Sequence, residues 1–347
     1  MAICYLTGKT ITEKDHPNKD DHKSLEHIIP NALGGKIASN YVLTFRANQQ
    51  LNEEIDKEFT KIFTAFVARL PINKDRNSTP SVSAFHPEYQ TDVFFKNGRF
   101  FPKKPFFDDE KRIIYADSEK NGKNYRAYLE REGKVSKGET IRIMDDLAGD
   151  IEIPFQLGNV IFKKGFAKIA AGFATLKGVS RNNLSDVIDL TSNKIKDKII
   201  LSPFIPNASE LLFESNKYKS INYPVHSLVL VGSKSQQFLY CYVDLFSAFQ
   251  FYVLLSQDYA GNDIYEAYTY DILNDKEINH NDYIKSIPNV PASLVDEKYR
   301  VISPIDFIKN THRADETRIY CHDNFYKLAS FVNYTFINQK AKKLKLI

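Results

Sequence analysis

The sequence of 347 residues has few cysteines, no tryptophan and no long apolar run, and these absences exclude several classes of protein. Its three cysteines, Cys4, Cys241 and Cys321, are far apart and odd in number, so they indicate neither a disulfide framework nor a CxxC metal knuckle. No stretch approaches the roughly 18 uninterrupted apolar residues of a membrane span, and the first residues lack a secretory apolar segment. We therefore expect a soluble, cytoplasmic protein with no membrane partner.

The sequence also has little excess of one sign of charge over the other. The net charge is only +4 with 26% charged residues, so a contact with a polyanion has to come from local clusters of Lys and Arg. Hydrophobic residues make up 43% of the chain, including 25 Phe and 20 Tyr, which is enough for a large core. This composition argues against disorder of the whole chain.

Three regions with different patterns predict an α+β protein. Residues 1–70 end in apolar residues at helical spacing from Leu51 to Val67, and Pro71 stops that helix. Residues 71–150 contain a hairpin pattern, DVFFKNGRFF, and further strand candidates. Those candidates are RIIYAD, NYRAYLE and ETIRIM.

The third region, residues 151–347, predicts a larger mixed α+β domain with an antiparallel sheet. The run VIFKKGFAKIAAGFATLKG places Phe162, Phe166, Ile169 and Phe173 on one face of a helix that ends near Gly178. Three β-branched and aromatic runs then predict an antiparallel meander, and the chain ends in a predicted helix with a basic tail. The meander runs are HSLVLVG, QFLYCYVDLF and FQFYVLLS.

The stretch SLEHIIPNALGG carries the main candidate chemistry. A one-metal nuclease needs a hard cation on the scissile phosphate and an imidazole that deprotonates a water. Here LEHII predicts a strand with Glu26 and His27, a turn-rich connector follows, and YVLTF predicts a second strand. ANQQLNEEID then opens a helix with Asn48 near its first turn.

This order of residues resembles the HNH endonucleases, whose core is a β-hairpin and a helix around one metal ion. The resemblance implies an N-terminal ββα-metal motif with His27 as general base and Glu26 and Asn48 as metal ligands. It implies that a loop residue braces the base, with Asn40 the nearest candidate and Ser39 an alternative. An amide ligand favours Mg²⁺ or Mn²⁺. The matching residues are Glu26, His27, Ile28, Ile29, Pro30, Leu33, Gly34, Gly35, Asn48, Leu51, Ile55 and Asp56.

The sequence departs from many HNH relatives in the two cysteine pairs that bind structural zinc. Cys4 is present, but Thr44 and Ala47 stand where cysteines are expected near the helix. One thiol cannot form a tetrahedral zinc site, so we expect no structural zinc. Packing around Phe45, Leu51 and Ile55 is expected to hold the hairpin to the helix instead.

Several other residues are weaker candidates for a functional site, and each has two interpretations. His16 and His22 either contact a metal or phosphate or belong to a solvated loop. Lys164 and Lys168 share a helix face, which is either a phosphate-binding stripe or a solvated surface. His226 is either catalytic or a structural histidine that leads a buried strand. Phosphate contacts or plain surface charge are the two interpretations of a basic cluster made of Lys19, Lys23, Lys36 and Arg46.

The predicted function is metal-dependent hydrolysis of phosphodiester bonds in nucleic acid, with DNA favoured over RNA. Restriction or defence against phage fits such an enzyme. The C-terminal domain is expected to recognise the target or regulate cleavage, with a homo-oligomer or a regulatory partner as a further possibility. The alternative is a decayed HNH fold that only binds nucleic acid or a protein.

Overall fold

The structure is a computed structural model that describes residues 2–73, 81–96, 98–155, 158–206, 208–289, 314–343 and 345. The strands are β1 Glu26–His27, β2 Ala38–Ser39, β3 Val82–His86, β4 Thr91–Lys96, β5 Arg99–Pro102, β6 Phe106–Asp108, β7 Ile113–Tyr115, β8 Arg142–Met144, β9 Ile188–Asp189, β10 Lys194–Ile195, β11 Leu201–Pro203, β12 Val225–Ser233, β13 Phe238–Leu245, β14 Phe249–Ser256, β15 Ile264–Asp271 and β16 Lys276–Ile278. The α-helices are α1 Phe45–Leu51, α2 Lys57–Ile62, α3 Thr64–Val67, α4 Glu119–Arg131, α5 Val160–Leu176, α6 Ala208–Asn216, α7 His280–Lys285 and α8 Ala314–Lys343.

This mixed architecture confirms the predicted α+β class. Within the described ranges, no helix combines the length and the apolar character that crossing a membrane requires. The chain divides into two compact units. The first unit comprises Met1–Phe63, Leu70–Asp75 and Leu157–Tyr334, and the second comprises Thr64–Arg69, Arg76–Gln156 and Thr335–Ile347.

The predicted domain division at 1–70, 71–150 and 151–347 stays a prediction. The first unit nevertheless groups most of the predicted nuclease segment with most of the predicted C-terminal domain. We refer to residues 2–63 as the N-terminal segment.

The first unit is built on a six-stranded antiparallel sheet with the strand order β11-β14-β13-β12-β15-β16. β12, β13 and β14 form the predicted meander, which is thereby confirmed. Helix α5, also predicted, packs on this sheet, where the rings of Phe162 and Phe166 lie 5.4 and 5.0 Å from that of Phe251. Gly178 follows the helix with φ +88°, the left-handed conformation that favours glycine at a helix end.

Helix α5 also packs against the N-terminal segment. A Cβ atom at Gly165 would lie 2.1 Å from the ring of Phe59, and one at Gly172 would lie 3.1 Å from Ile28. The missing side chains therefore let the α5 backbone approach the segment closely. Because both sides of the helix are covered, residues Gly165 through Ala174 are all buried.

The N-terminal segment has the β-hairpin and helix expected of a ββα motif. β1 and β2 are antiparallel, with Glu26 opposite Ser39 and His27 opposite Ala38. The Thr44 hydroxyl accepts a hydrogen bond from the Ala47 N–H (3.4 Å) and caps α1. A π-helical turn, Asn52–Asp56, joins α1 to α2.

Two details of the hairpin prediction are wrong. The second strand is β2, not YVLTF: Val42 and Leu43 are buried beside the segment's own loops, and the Val42 carbonyl accepts from the Tyr5 N–H. Leu51 and Ile55 are buried as expected, but Phe45 is 42% exposed because the first residue of α1 points out of the core.

The second unit contains two three-stranded sheets, β3-β4-β5 and β6-β7-β8, and helix α4. The predicted strands at RIIYAD and ETIRIM are confirmed by β7 and β8. NYRAYLE lies in α4, so its strand prediction is wrong. Ser118 caps the helix, and Tyr125 and Leu129, four residues apart, pack in one apolar cluster.

Candidate active site

Strand β1 places Glu26 and His27 on opposite faces, because successive side chains of a strand alternate. Glu26 points inward and is only 4% exposed, whereas His27 is half-buried. The backbone of His27 pairs with Ala38 of β2. The acid and the imidazole therefore meet different surroundings although they are neighbours in sequence.

The Glu26 carboxylate is bound by a lysine from α5. The Lys168 Nζ atom lies 2.7 Å from Glu26 Oε1 and donates a hydrogen bond to Asp56 Oδ2 at 2.5 Å. The side chains of Glu26 and Lys168 are 5% and 2% exposed, and that of Asp56 is 16% exposed. One ammonium group thus joins β1, the π-helical turn and α5. We call these three residues the ion triad.

The electrostatics of the ion triad favour a charged lysine. Burial lowers the pKa of Lys168, but Glu26 and Asp56 raise it by more, so the net shift is upward. Burial and the nearby Asp56 raise the pKa of Glu26 against the opposing effect of Lys168. Both interpretations of Lys168 from sequence, a phosphate stripe and a solvated face, are wrong because the side chain is buried.

Asn48 lies on α1 and reaches the residues just before β1. Its amide nitrogen donates to the Ser24 hydroxyl (3.0 Å) and to the Leu25 carbonyl (3.1 Å). The structure therefore brings Asn48 to the same short stretch of chain as Glu26 and His27. The remaining amide oxygen is the atom that a cation could use.

Asn40 directly follows β2 and is exposed. Its neighbour Ser39 accepts a hydrogen bond from the Tyr41 N–H at 3.1 Å, which closes a local turn. Bracing of the His27 segment by Asn40, or by Ser39 as the alternative, stays a prediction.

The predicted ligand pair of Glu26 and Asn48 does not fit a cation in the arrangement that the structure holds. A cation on Glu26 would share that carboxylate with the Lys168 ammonium, and the two positive charges would repel each other. In the part of the chain that the structure describes, no group of three or more His, Cys, Asp or Glu side chains could hold a metal ion. The ligand roles of Glu26 and Asn48 therefore stay predictions, and Glu26 has a competing partner.

A basic cleft of about 630 Å³ opens beside β1, and it contains part of the predicted phosphate-binding cluster. Lys19 and Lys23 line it, whereas Lys36 and Arg46 are not among its lining residues. Glu13 forms an ion pair with Lys23. The complete lining is Lys14, Lys19, His22, Lys23, Ser24, Leu25, Asn40 and Phe45.

The loop before β1 is folded by its own polar groups. The His22 Nε2 atom lies 2.6 Å from the His16 carbonyl, and His22 also lines the basic cleft. His16 accepts a hydrogen bond from the Asn18 N–H at its Nδ1 atom (3.2 Å). His22 is thus the one of these two histidines that faces the cleft.

The place of the zinc cysteines is filled by a packed contact. The Thr44 hydroxyl donates to the Cys4 thiol at 3.8 Å, and Cys4, Thr44 and Ala47 are all buried. One thiol, one hydroxyl and one methyl group do not fit tetrahedral zinc. From outside the segment, Arg181 donates to the carbonyls of Tyr5 (3.1 Å) and Leu6 (3.0 Å) and so ties down the loop that carries Cys4.

After Lys168 and Arg181, His226 of β12 makes a third connection to the N-terminal segment. Its Nδ1 atom accepts from the Phe246 N–H (3.3 Å), so Nε2 carries the ring proton and donates to the Leu33 carbonyl (3.0 Å). Burial lowers the pKa of His226 to about 4, against the smaller opposing effect of the Leu33 bond. His226 is therefore a structural histidine, as one of its two interpretations held.

Sequence reasoning missed Lys168 and Arg181 as parts of the site. A signal for Lys168 was present, because GFAKIAAGFA is apolar all round apart from this lysine, and such a helix is buried on every side. A lone lysine in it requires a buried counter-charge. No comparable pattern surrounds Arg181.

Comparison with known proteins agrees with the site. The model of the HNH endonuclease family matches residues 4–64. No curated protein and no solved structure matches the chain. The match indicates nuclease activity, and HNH nucleases generally use divalent metal ions. The HNH resemblance of the sequence is thereby confirmed for residues 4–64, the part of the chain that contains the ββα motif.

Proposed function

We propose that residues 4–64 hydrolyse phosphodiester bonds in DNA and that His27 is the general base. The observation that carries this proposal is the position of His27 within the matched segment. It lies on the face of β1 opposite the buried Glu26, and β1 follows directly after cleft residues Ser24 and Leu25. A neutral imidazole there takes a proton from the water that attacks phosphorus.

The neighbouring residues orient the base and receive the substrate. Asn48 links α1 to the chain just before β1, which limits movement of the strand. The lysines of the basic cleft provide contacts to backbone phosphates next to the cleavage position. The lysines of the cleft lining, Lys14, Lys19 and Lys23, come from the stretch of chain that precedes β1.

Mg²⁺ or Mn²⁺ is the proposed cofactor, because HNH nucleases generally use divalent ions. The Asn48 amide oxygen is a proposed ligand for it. Glu26, the other ligand that the HNH resemblance implies, has its carboxylate bound by Lys168. Such an ion stabilises the negative charge that develops on the phosphate.

DNA is the favoured substrate because a hairpin and helix of this kind can engage a duplex groove through the backbone. We place the enzyme in prokaryotic restriction or defence against phage. In that setting residues 151–347 select the target or regulate cleavage, alone or with a second copy or a regulatory partner. These are proposals that rest on the HNH match of residues 4–64.

The test is cleavage of plasmid DNA by the full chain with Mg²⁺ or Mn²⁺ and with EDTA. We expect wild type to nick or cut the plasmid only with the metal, and His27→Ala to lose about 100-fold or more in rate, the range of a lost general base. His16→Ala changes a loop histidine outside the cleft lining and is the matched control. Labelled DNA and RNA of the same sequence distinguish the two substrates.

A binding module is the second candidate, and the ion triad favours it because Glu26 is not open to a cation. In that case wild type leaves the plasmid intact with either metal but retards it on a gel. Equal cleavage by wild type and His27→Ala would contradict the proposed role of the imidazole.

A further inference from the structure

We propose that Lys168, and not a divalent cation, is the functional partner of Glu26, and that helix α5 is thereby a positioning element of the nuclease site. The positioning role rests on the proposed nuclease function, whereas the pairing of Lys168 with Glu26 does not. It adds a residue far outside the matched range 4–64 to the machinery of the site.

The geometry of the ion triad carries the inference. Lys168 Nζ lies 2.7 Å from Glu26 and 2.5 Å from Asp56, and the lysine side chain is 2% exposed. An ammonium group has three donors, so this one binds one oxygen of each carboxylate at once. With Lys168 inside the molecule, Glu26 has a counter-charge from the protein itself, which it shares with Asp56.

A cation on Glu26 would have to displace this arrangement. Direct ligation places a divalent ion at roughly 2.0–2.6 Å from a carboxylate oxygen, which is within a few ångströms of the ammonium. The lysine cannot withdraw easily, because Gly165 and Gly172 bring the α5 backbone against Phe59 and Ile28. Close packing therefore fixes the backbone position from which the Lys168 side chain extends.

The effect on catalysis passes through the strand. Glu26 is fixed on the inner face of β1, and the next residue, His27, is oriented on the outer face by the same backbone. Lys168 is accordingly a positioning residue: it touches Glu26 and Asp56 and acts on the base through β1. Loss of the ammonium leaves two carboxylates facing each other and loosens the strand at His27.

The experiment uses four variants of the full chain: Glu26→Gln, Lys168→Met, the double variant, and Lys164→Met as control. Lys164 is on the same helix one turn earlier, and its partner Asp197 is a 78% exposed carboxylate. We would measure kcat and KM on DNA, the Mn²⁺ concentration for half-maximal rate, Mn²⁺ binding by calorimetry, and the thermal unfolding midpoint.

The inference predicts a specific set of changes. Glu26→Gln keeps an acceptor for Lys168, so kcat falls by less than about 10-fold and the Mn²⁺ requirement and affinity do not change. Lys168→Met lowers the midpoint and reduces kcat by about 10-fold or more, with KM within about 2-fold, because orientation of the base is affected and not DNA binding. The double variant regains midpoint and kcat relative to Lys168→Met, since one of the two uncompensated carboxylates is gone.

Two results would overturn it. If Glu26→Gln abolishes cleavage, keeps the midpoint and weakens Mn²⁺ binding, Glu26 is a metal ligand. If the effects of the two single substitutions on the midpoint simply add, Glu26 and Lys168 are not partners. The unfolding midpoint and Mn²⁺ binding are measured without cleavage. An inactive wild type would therefore refute the proposed nuclease activity and the positioning role of Lys168. Non-additive effects of the two substitutions on the midpoint would still support the pairing of Glu26 with Lys168.

Discussion

The buried His226 makes the stability of the first unit sensitive to mild acid. Burial lowers its pKa from 6.5 to about 4, so between these values the unfolded chain binds a proton that the folded chain does not. Stability therefore falls as the pH drops below about 6.5. The value of pH 5 lies roughly 1.5 units below the ordinary histidine pKa of 6.5. Because one unit corresponds to about 1.36 kcal/mol, the free energy of unfolding falls by about 2 kcal/mol at this pH.

Urea unfolding of wild type and His226→Gln at pH 7.5 and pH 5 measures this loss. Gln keeps a donor for the Leu33 carbonyl but does not titrate, so carboxylates elsewhere affect both proteins equally. We expect wild type to lose about 2 kcal/mol more than the variant between the two pH values. An equal loss in both proteins would refute the assignment of a neutral, backbone-bound imidazole.

Three further predictions concern the contacts that hold the N-terminal segment. Arg181→Gln removes charged donors from two loop carbonyls and should lower the free energy of unfolding by about 1–3 kcal/mol, and an unchanged midpoint would contradict the bracing role. Replacing Lys19 and Lys23 by Ala should reduce the slope of log affinity for DNA against log salt by about 1–2, and an unchanged slope would exclude phosphate contacts by these lysines. A fragment of residues 1–70 lacks all three connections from the rest of the first unit and should show little ordered helix by circular dichroism, whereas a folded fragment would show that the segment needs none of them.

The N-terminal segment is stabilised without zinc by groups that come from later in the chain. Lys168 binds β1 and the π-helical turn, Arg181 binds the loop of Cys4, and His226 binds the connector between β1 and β2. These three contacts come from an α-helix, a 3-10 helix and a strand of the same compact unit. They explain how the hairpin keeps its shape where Thr44 and Ala47 replace metal-binding cysteines.

Regular elements with strong patterns could be predicted from the sequence. The helix α5 and the meander β12-β13-β14 follow from apolar periodicity, and the ββα motif follows from the order of EHIIP, the connector and the helix start. The roles of His27 and Asn48 stay predictions, which rest on residue type and spacing in a short motif.

Features decided by tertiary packing could not be predicted in the same way. YVLTF has the composition of a strand, but only its middle residues are buried, and the two-residue strand β2 precedes it. NYRAYLE has the aromatic content of a strand, but the Ser118 cap and the spacing of Tyr125 and Leu129 form a helix. The inward position of Lys168 depends on where β1 lies, which a helix pattern alone does not specify.

The position of Mn²⁺ in a crystal of the full chain tests the partner of Glu26 most directly. Anomalous scattering locates the ion independently of the protein atoms. Our account predicts that Lys168 stays paired with Glu26 and that no Mn²⁺ lies within about 3 Å of that carboxylate, beyond the range of direct oxygen ligation. An ion at roughly 2.0–2.6 Å from a Glu26 oxygen, with the ammonium displaced, would contradict it.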